Sequence, residues 1–364
     1  MKMRQISLVW FSSLLALGTL SMAQDQSSES NDVDTPGTSS QQSVSNNTQV
    51  SNTEAGSRAV AMPNLPFPTL GGKQFWTDRR WRAGWRIQQN AVSGHFRLIS
   101  PANLRFAWGN LSACEKSLNE HVPSSEFKAS TAVILLHGLS RSTSSMVGLG
   151  KAIDREADCQ VVYFEYASTR ASIAHHAAAL REVVSSLPKG KQICFVGHSM
   201  GNIVVRHAIA DWQRTKDQQT LDRLGSVVML GPPNQGASIA RELGKLGLFK
   251  VITGDGGMEL GPGWAGLEQH LAVPPCPFGI VAGRLPSYIS NPLVGEEGDF
   301  VVGVEEARLE GAADFLEVPR MHSFLMDDPE VQRATIHFLH SHRFHSKQKE
   351  AEAETETGRV SNVD

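Results

Sequence analysis

The stretch that decides the fold is Ile193–Asn202, ICFVGHSMGN, in which an apolar run leads directly into Ser199. Gly197 and Gly201 stand two positions away from this serine on either side. A G-x-S-x-G pattern between a buried-type strand and a helix is the arrangement of a nucleophile elbow. In so sharp a turn, side chains at the two glycine positions would clash with the neighbouring strand and helix. We therefore interpret Ser199 as a nucleophile rather than as a helix N-cap serine.

Strand and helix patterns alternate along the chain around this elbow. Apolar runs predict strands at Thr131–Leu136, Cys159–Tyr166, Gln192–Gly197, Ser226–Leu230, Phe278–Ala282 and Asp314–Val318. Helical patterns lie between them at Ser145–Glu156, Ala171–Leu187 and Met200–Thr215. This succession predicts an α/β fold with a mostly parallel central sheet and helices on both faces. Before the sheet, Trp85–Gln89, His95–Ile99 and Leu104–Trp108 are typical of short antiparallel strands.

The composition is that of a globular protein and does not favour nucleic-acid binding. Of 364 residues, 40% are apolar and 20% are charged, and the formal net charge is −3. An acidic balance gives no electrostatic reason to expect nucleic-acid binding. The low-complexity composition of both ends leaves residues 65–343 as one predicted domain.

The N-terminus has the pattern of an export signal. Residues 1–23 combine Lys2 and Arg4, an apolar run up to about Leu20, and the small residues of Ser21-Met22-Ala23. An uncleaved membrane anchor is the alternative interpretation, since the run is nearly long enough to span a bilayer. Residues 24–64 are rich in Ser, Asn and Gln and predict a disordered spacer, and 344–364 predict a charged disordered tail. We expect a periplasmic or extracellular protein.

The four cysteines leave the disulfide pattern open. Cys114, Cys159, Cys194 and Cys276 form no C-x-x-C pair, so a zinc knuckle or dithiol site is not indicated. An exported chain permits disulfides, and four cysteines allow three full pairings.

An oxyanion hole is predicted beside Ser199. The first donor is the backbone N–H of Met200, the residue after the serine. The second comes from the loop that ends the Thr131–Leu136 strand, LHGLS at 136–140, in which Gly138 lets the backbone turn. We expect the N–H of Leu139 to be this donor.

His322 is the histidine best placed to act as a base. Its loop joins the Asp314–Val318 strand to a helix announced by Asp327-Asp328-Pro329, and so lies at the carboxyl end of a strand. The competing histidines fall on or beyond predicted helices, where we expect surface positions: His175, His176, His337, His340, His342 and His345.

Five segments together resemble a known group, the α/β-hydrolase superfamily and its bacterial lipase and esterase branch. They are VILLHGLS, VGHSMGN, VVMLGPPNQGA, GDFVVGVEEARL and VPRMHSFLM, in the family order across about residues 130 to 340. The resemblance implies an α/β-hydrolase fold, with His322 as the base and Asp299 as the acid of a D-G-x-V pattern. Phe300 stands here where that pattern has glycine. Other acids considered for this role are Asp255, Asp314, Glu296 and Glu297.

Two interpretations of an insertion at residues 237–275 remain open. It is either a lid over an acyl-binding cleft or extra core packing. The apolar residues that would cover an acyl chain are Leu246, Leu248, Phe249, Trp264 and Leu267. The nearby glycine-rich turn lacks the Lys-Ser/Thr ending of a phosphate loop, so we do not expect a nucleotide.

The residues together predict a secreted serine hydrolase of carboxylic esters that needs no metal or organic cofactor. Ser199, His322 and Asp299 would form its triad. Its substrate would be a small-molecule or lipid ester with an apolar acyl group, with transient contact to a lipid surface. Alternatives are a thioesterase, amidase or acyltransferase on the same triad, or a non-catalytic binding domain of the same fold. The oligomeric state is not predicted.

Overall fold

The central sheet of the protein has six parallel strands in the order β11-β10-β9-β8-β6-β7. These strands are β6 (Thr131–Leu136), β7 (Gln160–Phe164), β8 (Gln192–His198), β9 (Leu224–Leu230), β10 (Phe278–Gly283) and β11 (Asp314–Val318). They coincide to within two residues with the six apolar runs of the sequence. The predicted mostly parallel sheet is thus confirmed.

The computed structural model describes residues 67–68, 74–122, 129–238, 240, 257–285 and 298–345. All of them lie in one compact unit, Asn64–Asp364. The predicted signal segment 1–23, the spacer 24–64 and most of the tail 344–364 lie outside the described residues. Among the described residues, no helix is long and apolar enough to cross a membrane.

Helices cover both faces of this sheet. One face packs against α3 (Ile173–Ser186) and α4 (Met200–Arg214), whose apolar side chains form one buried cluster with alternate strand residues. The other face packs against α2 (Val147–Glu156) and α8 (Pro329–Ser341) in a second cluster. Strands buried on both faces explain the continuous apolar runs. The shorter helices are α1 (Leu111–His121), α5 (Gln218–Leu221), α6 (Trp264–Glu268) and α7 (Val304–Ala307), with 3-10 turns at Thr143–Met146 and His322–Asp327.

A second, antiparallel sheet precedes the central one, with strand order β1-β5-β4-β3-β2. Its strands are β1 (Phe67–Pro68), β2 (Trp76–Arg82), β3 (Trp85–Asn90), β4 (Phe96–Ile99) and β5 (Leu104–Gly109). The three predicted strands are present. The sequence did not predict β2, because its WTDRRWR pattern has the arginines of a surface segment.

Strand β2 joins this sheet to the carboxyl end of β7. The Asp78 N–H donates to the Glu165 carbonyl over 2.9 Å, and the Glu165 N–H donates back to the Asp78 carboxylate over 2.7 Å. Gln88 donates to the other carboxylate oxygen of Asp78 over 2.7 Å. The antiparallel sheet is therefore anchored at the edge where a parallel sheet has its functional loops.

All four cysteines are free thiols. Cys114 and Cys194 are buried, and Cys194 lies within β8 as a small core residue. None of the three disulfide pairings that the sequence left open is formed.

Candidate active site

Ser199 lies in a strained turn between β8 and α4. Its backbone has φ 53° and ψ −125°, a combination that non-glycine residues adopt at a cost of about 1–3 kcal/mol. The Ser199 N–H donates to the Leu230 carbonyl over 2.9 Å, which fixes the turn against the end of β9. Such strain persists only where the surroundings impose it. Ser199 therefore lies in a strained conformation directly before the helix that begins at Met200, as the elbow pattern predicts.

The two glycines of the elbow are required by close packing. A Cβ added to Gly197 would stand 2.9 Å from the Asn202 backbone nitrogen, and one added to Gly201 would stand 2.8 Å from the His137 carbonyl oxygen. Both distances are shorter than real Cβ contacts. The crowding inferred from the sequence is present, with strand β6 on one side and helix α4 on the other.

His322 and Asp299 are brought together by two hydrogen bonds. The His322 ring nitrogen Nδ1 lies 2.7 Å from Asp299 Oδ2, and the His322 backbone N–H donates to the Asp299 carbonyl over 3.0 Å. Both side chains are buried. Because a carboxylate only accepts, the proton of the pair lies on Nδ1 and leaves Nε2 as an acceptor. This is the tautomer a general base requires.

His322 lies at the end of the central sheet beside the elbow. A Cβ on Gly231, the residue after β9, would stand 2.9 Å from His322 Nδ1. The ring of His198, the residue before Ser199, lies 4.8 Å from the His322 ring. The loop after β11 therefore places the predicted base against the strand ends that carry the predicted nucleophile.

Asp299 is fixed by a tight turn of its own. Its Oδ1 accepts hydrogen bonds from the N–H groups of Val301 (3.0 Å) and Val302 (2.8 Å), which leaves Oδ2 for His322. Phe300 has φ 82°, in the left-handed region that favours glycine. The glycine of the D-G-x-V pattern is thus a conformational requirement that this chain meets with a strained phenylalanine.

Among the described residues, none of the other acids and histidines considered from the sequence forms such a pair. Asp314 begins β11 at the opposite end of the sheet, where its carboxylate accepts from the Phe315 and Phe344 N–H groups. Asp255, Glu296 and Glu297 lie outside the described residues. The expected surface position is wrong for His176, which is fully buried against Tyr166 with the rings 4.8 Å apart. Burial lowers the pKa of His176 to about 3.

The predicted oxyanion donors flank the serine. Met200 is the first residue of α4, so its N–H has no carbonyl partner within the helix. A Cβ on Gly138 would stand 3.2 Å from the Ser199 Cβ, which places the loop after β6 directly beside the elbow. Leu139 follows in this loop. In the hydrogen bonds described here its N–H donates to no protein acceptor.

His198 is a residue whose role the sequence did not indicate. Its ring is buried, and its Nε2 lies 3.0 Å from the His322 carbonyl oxygen, to which it donates. Burial, followed by the nearby His322, holds the pKa of His198 well below its usual range. The ring is therefore neutral and ties the His322 loop to β8. The only feature of the sequence that pointed to a role for His198 was its position within the G-x-S-x-G pattern.

The described part of the 237–275 insertion belongs to the core. Trp264 and Leu267 are buried in the same cluster as α3 and α4. For these two residues the core-packing interpretation holds. Leu246, Leu248 and Phe249, on which the lid interpretation mainly depends, lie outside the described residues. Within the described part of the chain, no group of three or more His, Cys, Asp or Glu residues is arranged to hold a metal ion.

Part of the chain is similar to a known protein family. Residues 127–230 match a family model described as "Putative serine esterase (DUF676)", and this segment includes β6 to β9 with Ser199. No curated protein sequence matches the chain.

Several solved structures are similar to the chain. One is the lipase BlEst2 of Bacillus licheniformis in mature form, at 18% identity and a TM-score of 0.43, with 56% of this chain and 90% of that chain covered. Another is the gene lin2722 product of Listeria innocua, at 16% identity and a TM-score of 0.41, with 60% and 96% covered. A third is the metagenomic carboxyl esterase MGS0156, at 19% identity and a TM-score of 0.40, with 55% and 67% covered.

The chain thus combines a parallel sheet with helices on both faces and a serine at a strand–helix elbow, and the segment that carries this serine matches a family of putative serine esterases.

Proposed function

We propose that the protein hydrolyses carboxylic esters through Ser199, His322 and Asp299. The observation that carries the proposal is the strained backbone of Ser199, with φ 53° at the carboxyl end of β8. A serine that only capped a helix would gain nothing from this strain, whereas a nucleophile gains access to its substrate. The buried pair of His322 and Asp299 at the same end of the sheet supports the same reaction.

In this mechanism Ser199 Oγ attacks the ester carbonyl carbon and gives its proton to His322 Nε2. The resulting imidazolium is stabilised by Asp299, whose Oδ2 accepts from Nδ1. The carbonyl oxygen becomes an oxyanion that the N–H groups of Leu139 and Met200 stabilise. His322 then protonates the leaving alcohol. A water molecule, activated by His322, releases the carboxylic acid from the acyl-enzyme and restores the serine.

An ester with an apolar acyl group is the substrate class we propose. Two apolar side chains beside His322, Met321 and Phe324, are among the exposed large hydrophobic residues of the described chain, and Leu139 is half-buried on the oxyanion loop. Apolar side chains around a reactive serine favour an apolar acyl chain over a charged one. Export by residues 1–23 and transient contact with a lipid surface belong to the same proposal and depend on the sequence alone.

Thioester and amide hydrolysis, and acyl transfer to an alcohol, use the same triad. A matched substrate set separates them: p-nitrophenyl esters of rising acyl length, a thioester and an anilide of the same acyl group, each with and without an added alcohol. We expect ester hydrolysis to be fastest, and to be faster with butyrate or longer chains than with acetate. Purified, folded protein that hydrolyses none of the esters would contradict the proposal, as would a Ser199→Ala variant that keeps the full rate.

A further inference from the structure

One end of the antiparallel sheet exposes three large apolar side chains, which together we call the sheet tip. Phe75 directly precedes β2, Val92 lies in the turn between β3 and β4, and Trp108 lies near the end of β5. The Ala91 N–H donates to the Phe75 carbonyl over 2.7 Å, and Trp108 pairs with Arg97 at the start of β4. Half of the six exposed large hydrophobic residues of the described chain are therefore at this one end of the sheet.

Arginine side chains lie against the exposed rings of the sheet tip. The guanidinium carbon of Arg170, in the loop after β7, lies 4.7 Å from the centre of the Phe75 ring. That of Arg105 lies 5.3 Å from the centre of the Trp108 ring. Both distances are within the range of a cation–π interaction. The sheet tip therefore presents positive charge next to aromatic surface.

Arg97 adds a third cation behind these rings. Its guanidinium carbon lies 3.8 Å from the centre of the Trp76 ring. Among the described residues, no acidic side chain forms an ion pair with Arg97 or Arg170. The acids whose charges act on Arg97 are Asp78 and Glu165, and both are buried. The charge that the sheet tip turns to its surroundings is therefore positive.

The sheet tip lies beside the loop that carries the proposed oxyanion donor. The Gln74 side-chain amide donates to the Arg141 carbonyl over 2.5 Å, and its oxygen accepts from the Ser168 hydroxyl over 3.0 Å. The Ser140 N–H donates to the same Ser168 hydroxyl oxygen over 3.0 Å. Ser140 and Arg141 belong to the loop after β6, and Phe75 directly follows Gln74. These bonds fix the sheet tip at the border of the candidate active site.

The remaining exposed hydrophobic residues are unevenly placed as well. Met321 and Phe324 flank His322 in the candidate site. The sixth residue, Val273, lies at the opposite end of the central sheet, where a Cβ on Gly311 would stand 3.8 Å from its side chain. Single exposed apolar side chains are ordinary, but a group of them marks an interaction surface. Five of the six here lie in or beside the candidate site.

The composition of the sheet tip selects the partner. Aromatic side chains prefer the headgroup level of a membrane, and arginines are attracted to anionic lipids. We propose that the sheet tip docks on an anionic phospholipid surface, with its apolar side chains in the headgroup region and the neighbouring arginines at the lipid phosphates. The delivery of a membrane-borne ester to Ser199 rests on the proposed ester hydrolysis, whereas the docking itself does not.

The apolar part of the docking surface is tested by co-sedimentation of the full chain with vesicles. The vesicles contain phosphatidylcholine and phosphatidylglycerol in equal parts, or phosphatidylcholine alone. Val92, the most exposed residue of the sheet tip at 71%, is replaced in Val92→Asp, which should weaken binding to the anionic vesicles about tenfold. Val273→Asp, with 47% exposure at the opposite end of the central sheet, is the matched control and should bind as the native chain does. Residues 1–23 are the same in every variant.

The charged part is tested with the same vesicles. Arg105→Gln and Arg170→Gln should each weaken binding to the anionic vesicles about fivefold and leave binding to phosphatidylcholine alone unchanged. Added salt should weaken binding of the native chain to the anionic vesicles. Arg155→Gln, at an exposed position near the end of α2, is the matched control and should keep native binding.

Three results would overturn the inference. One is equal binding of the native chain to anionic and neutral vesicles. Another is equal binding of Val92→Asp and Val273→Asp. The third comes from light scattering in the absence of lipid. A native dimer that becomes a monomer in Val92→Asp would show that the sheet tip contacts a second copy of the chain.

Kinetics separate this inference from the proposed function. We expect the ratio of two hydrolysis rates, on an ester embedded in anionic vesicles and on a soluble p-nitrophenyl ester, to fall in Val92→Asp and to stay native in Val273→Asp. Native protein that binds the vesicles but hydrolyses no ester would contradict the proposed function alone. Native protein that hydrolyses soluble esters, with vesicle binding that no sheet-tip variant changes, would overturn the docking surface alone.

Discussion

His322 is bonded to Asp299 twice, from its ring over 2.7 Å and from its backbone over 3.0 Å. The same 3-10 turn therefore sets both the position of the loop and the orientation of the ring. Asp299 keeps its other carboxylate oxygen for its own turn, through Val301 and Val302. Oδ2 therefore contacts His322 while Oδ1 holds the turn. A substitution by asparagine can change the first contact and keep the second.

Asp299→Asn should lower kcat by about 10²- to 10⁴-fold with a small change in KM. An asparagine can still accept from the turn through its oxygen, but its NH₂ group faces His322 Nδ1 and favours the tautomer with the proton on Nε2. That ring cannot take the proton of Ser199. The measurement is kcat and KM on a p-nitrophenyl ester.

Asp314→Asn is the matched control for that substitution. Its carboxylate also accepts from backbone N–H groups, those of Phe315 and Phe344, but at the opposite end of the sheet. We expect native kcat in this variant. Equal losses in the two variants, or none at Asp299, would remove Asp299 from the mechanism.

Gly201→Ala and Gly148→Ala should change stability in opposite directions. A Cβ at Gly201 meets the His137 carbonyl oxygen at 2.8 Å, whereas one at Gly148 meets its nearest atom at 3.6 Å. Overpacking at the elbow should cost about 1–3 kcal/mol in the free energy of unfolding. The replacement within α2 should add about 0.5–1 kcal/mol, since alanine is the better helix former. Urea unfolding of both variants measures this, and a stability gain at Gly201 would show that the elbow is not crowded.

Asp78 should make the protein less stable as the pH rises from about 4 to about 7. Burial raises the pKa of Asp78 to about 6 in the folded state, so the folded chain holds a proton that the unfolded chain releases near pH 3.8. Its contribution is fully present below the unfolded pKa and is lost as the pH rises through the folded pKa. Two pKa units correspond to about 3 kcal/mol.

The effect of Asp78 is isolated by comparison with Asp78→Asn. The free energy of unfolding of the native chain, minus that of the variant, should fall by about 3 kcal/mol between pH 4 and pH 7. A difference that does not change with pH would mean that Asp78 titrates near its ordinary value in the folded protein.

Much of the fold follows from the sequence because strands buried on both faces need continuous apolar runs. Thr131–Leu136 and Gln192–His198 show this, and the elbow glycines mark where the second of these strands meets its helix. Strand β2 was not predicted because its sequence, WTDRRWR, is not a continuous apolar run. Its Arg79 and Arg80 pair with Glu182 of α3, and a sequence does not show that a distant helix supplies the counter-charge.

The sequence indicates candidate site residues where the local pattern marks them, but it does not indicate contacts that depend on the register of distant strands. Ser199 is marked by the glycines two positions away on either side, and His322 is marked by its position in the loop after the last predicted strand. The side chains of His137 and Glu165, which are 28 positions apart in the chain, contact each other because Leu136 of β6 pairs with Phe164 of β7. His176 was misplaced because its helix gives no sign that the Tyr166 ring covers it.

The most direct test of the account is labelling with a fluorophosphonate probe, followed by peptide mapping of the modified residue. A nucleophile activated by His322 attacks phosphorus and becomes covalently modified, whereas an ordinary serine does not react. We predict one label per chain, on Ser199, its loss in Ser199→Ala, and strongly slowed labelling in Asp299→Asn. Folded native protein that takes up no label, or that is labelled at another residue, would contradict the assignment of Ser199 as the nucleophile.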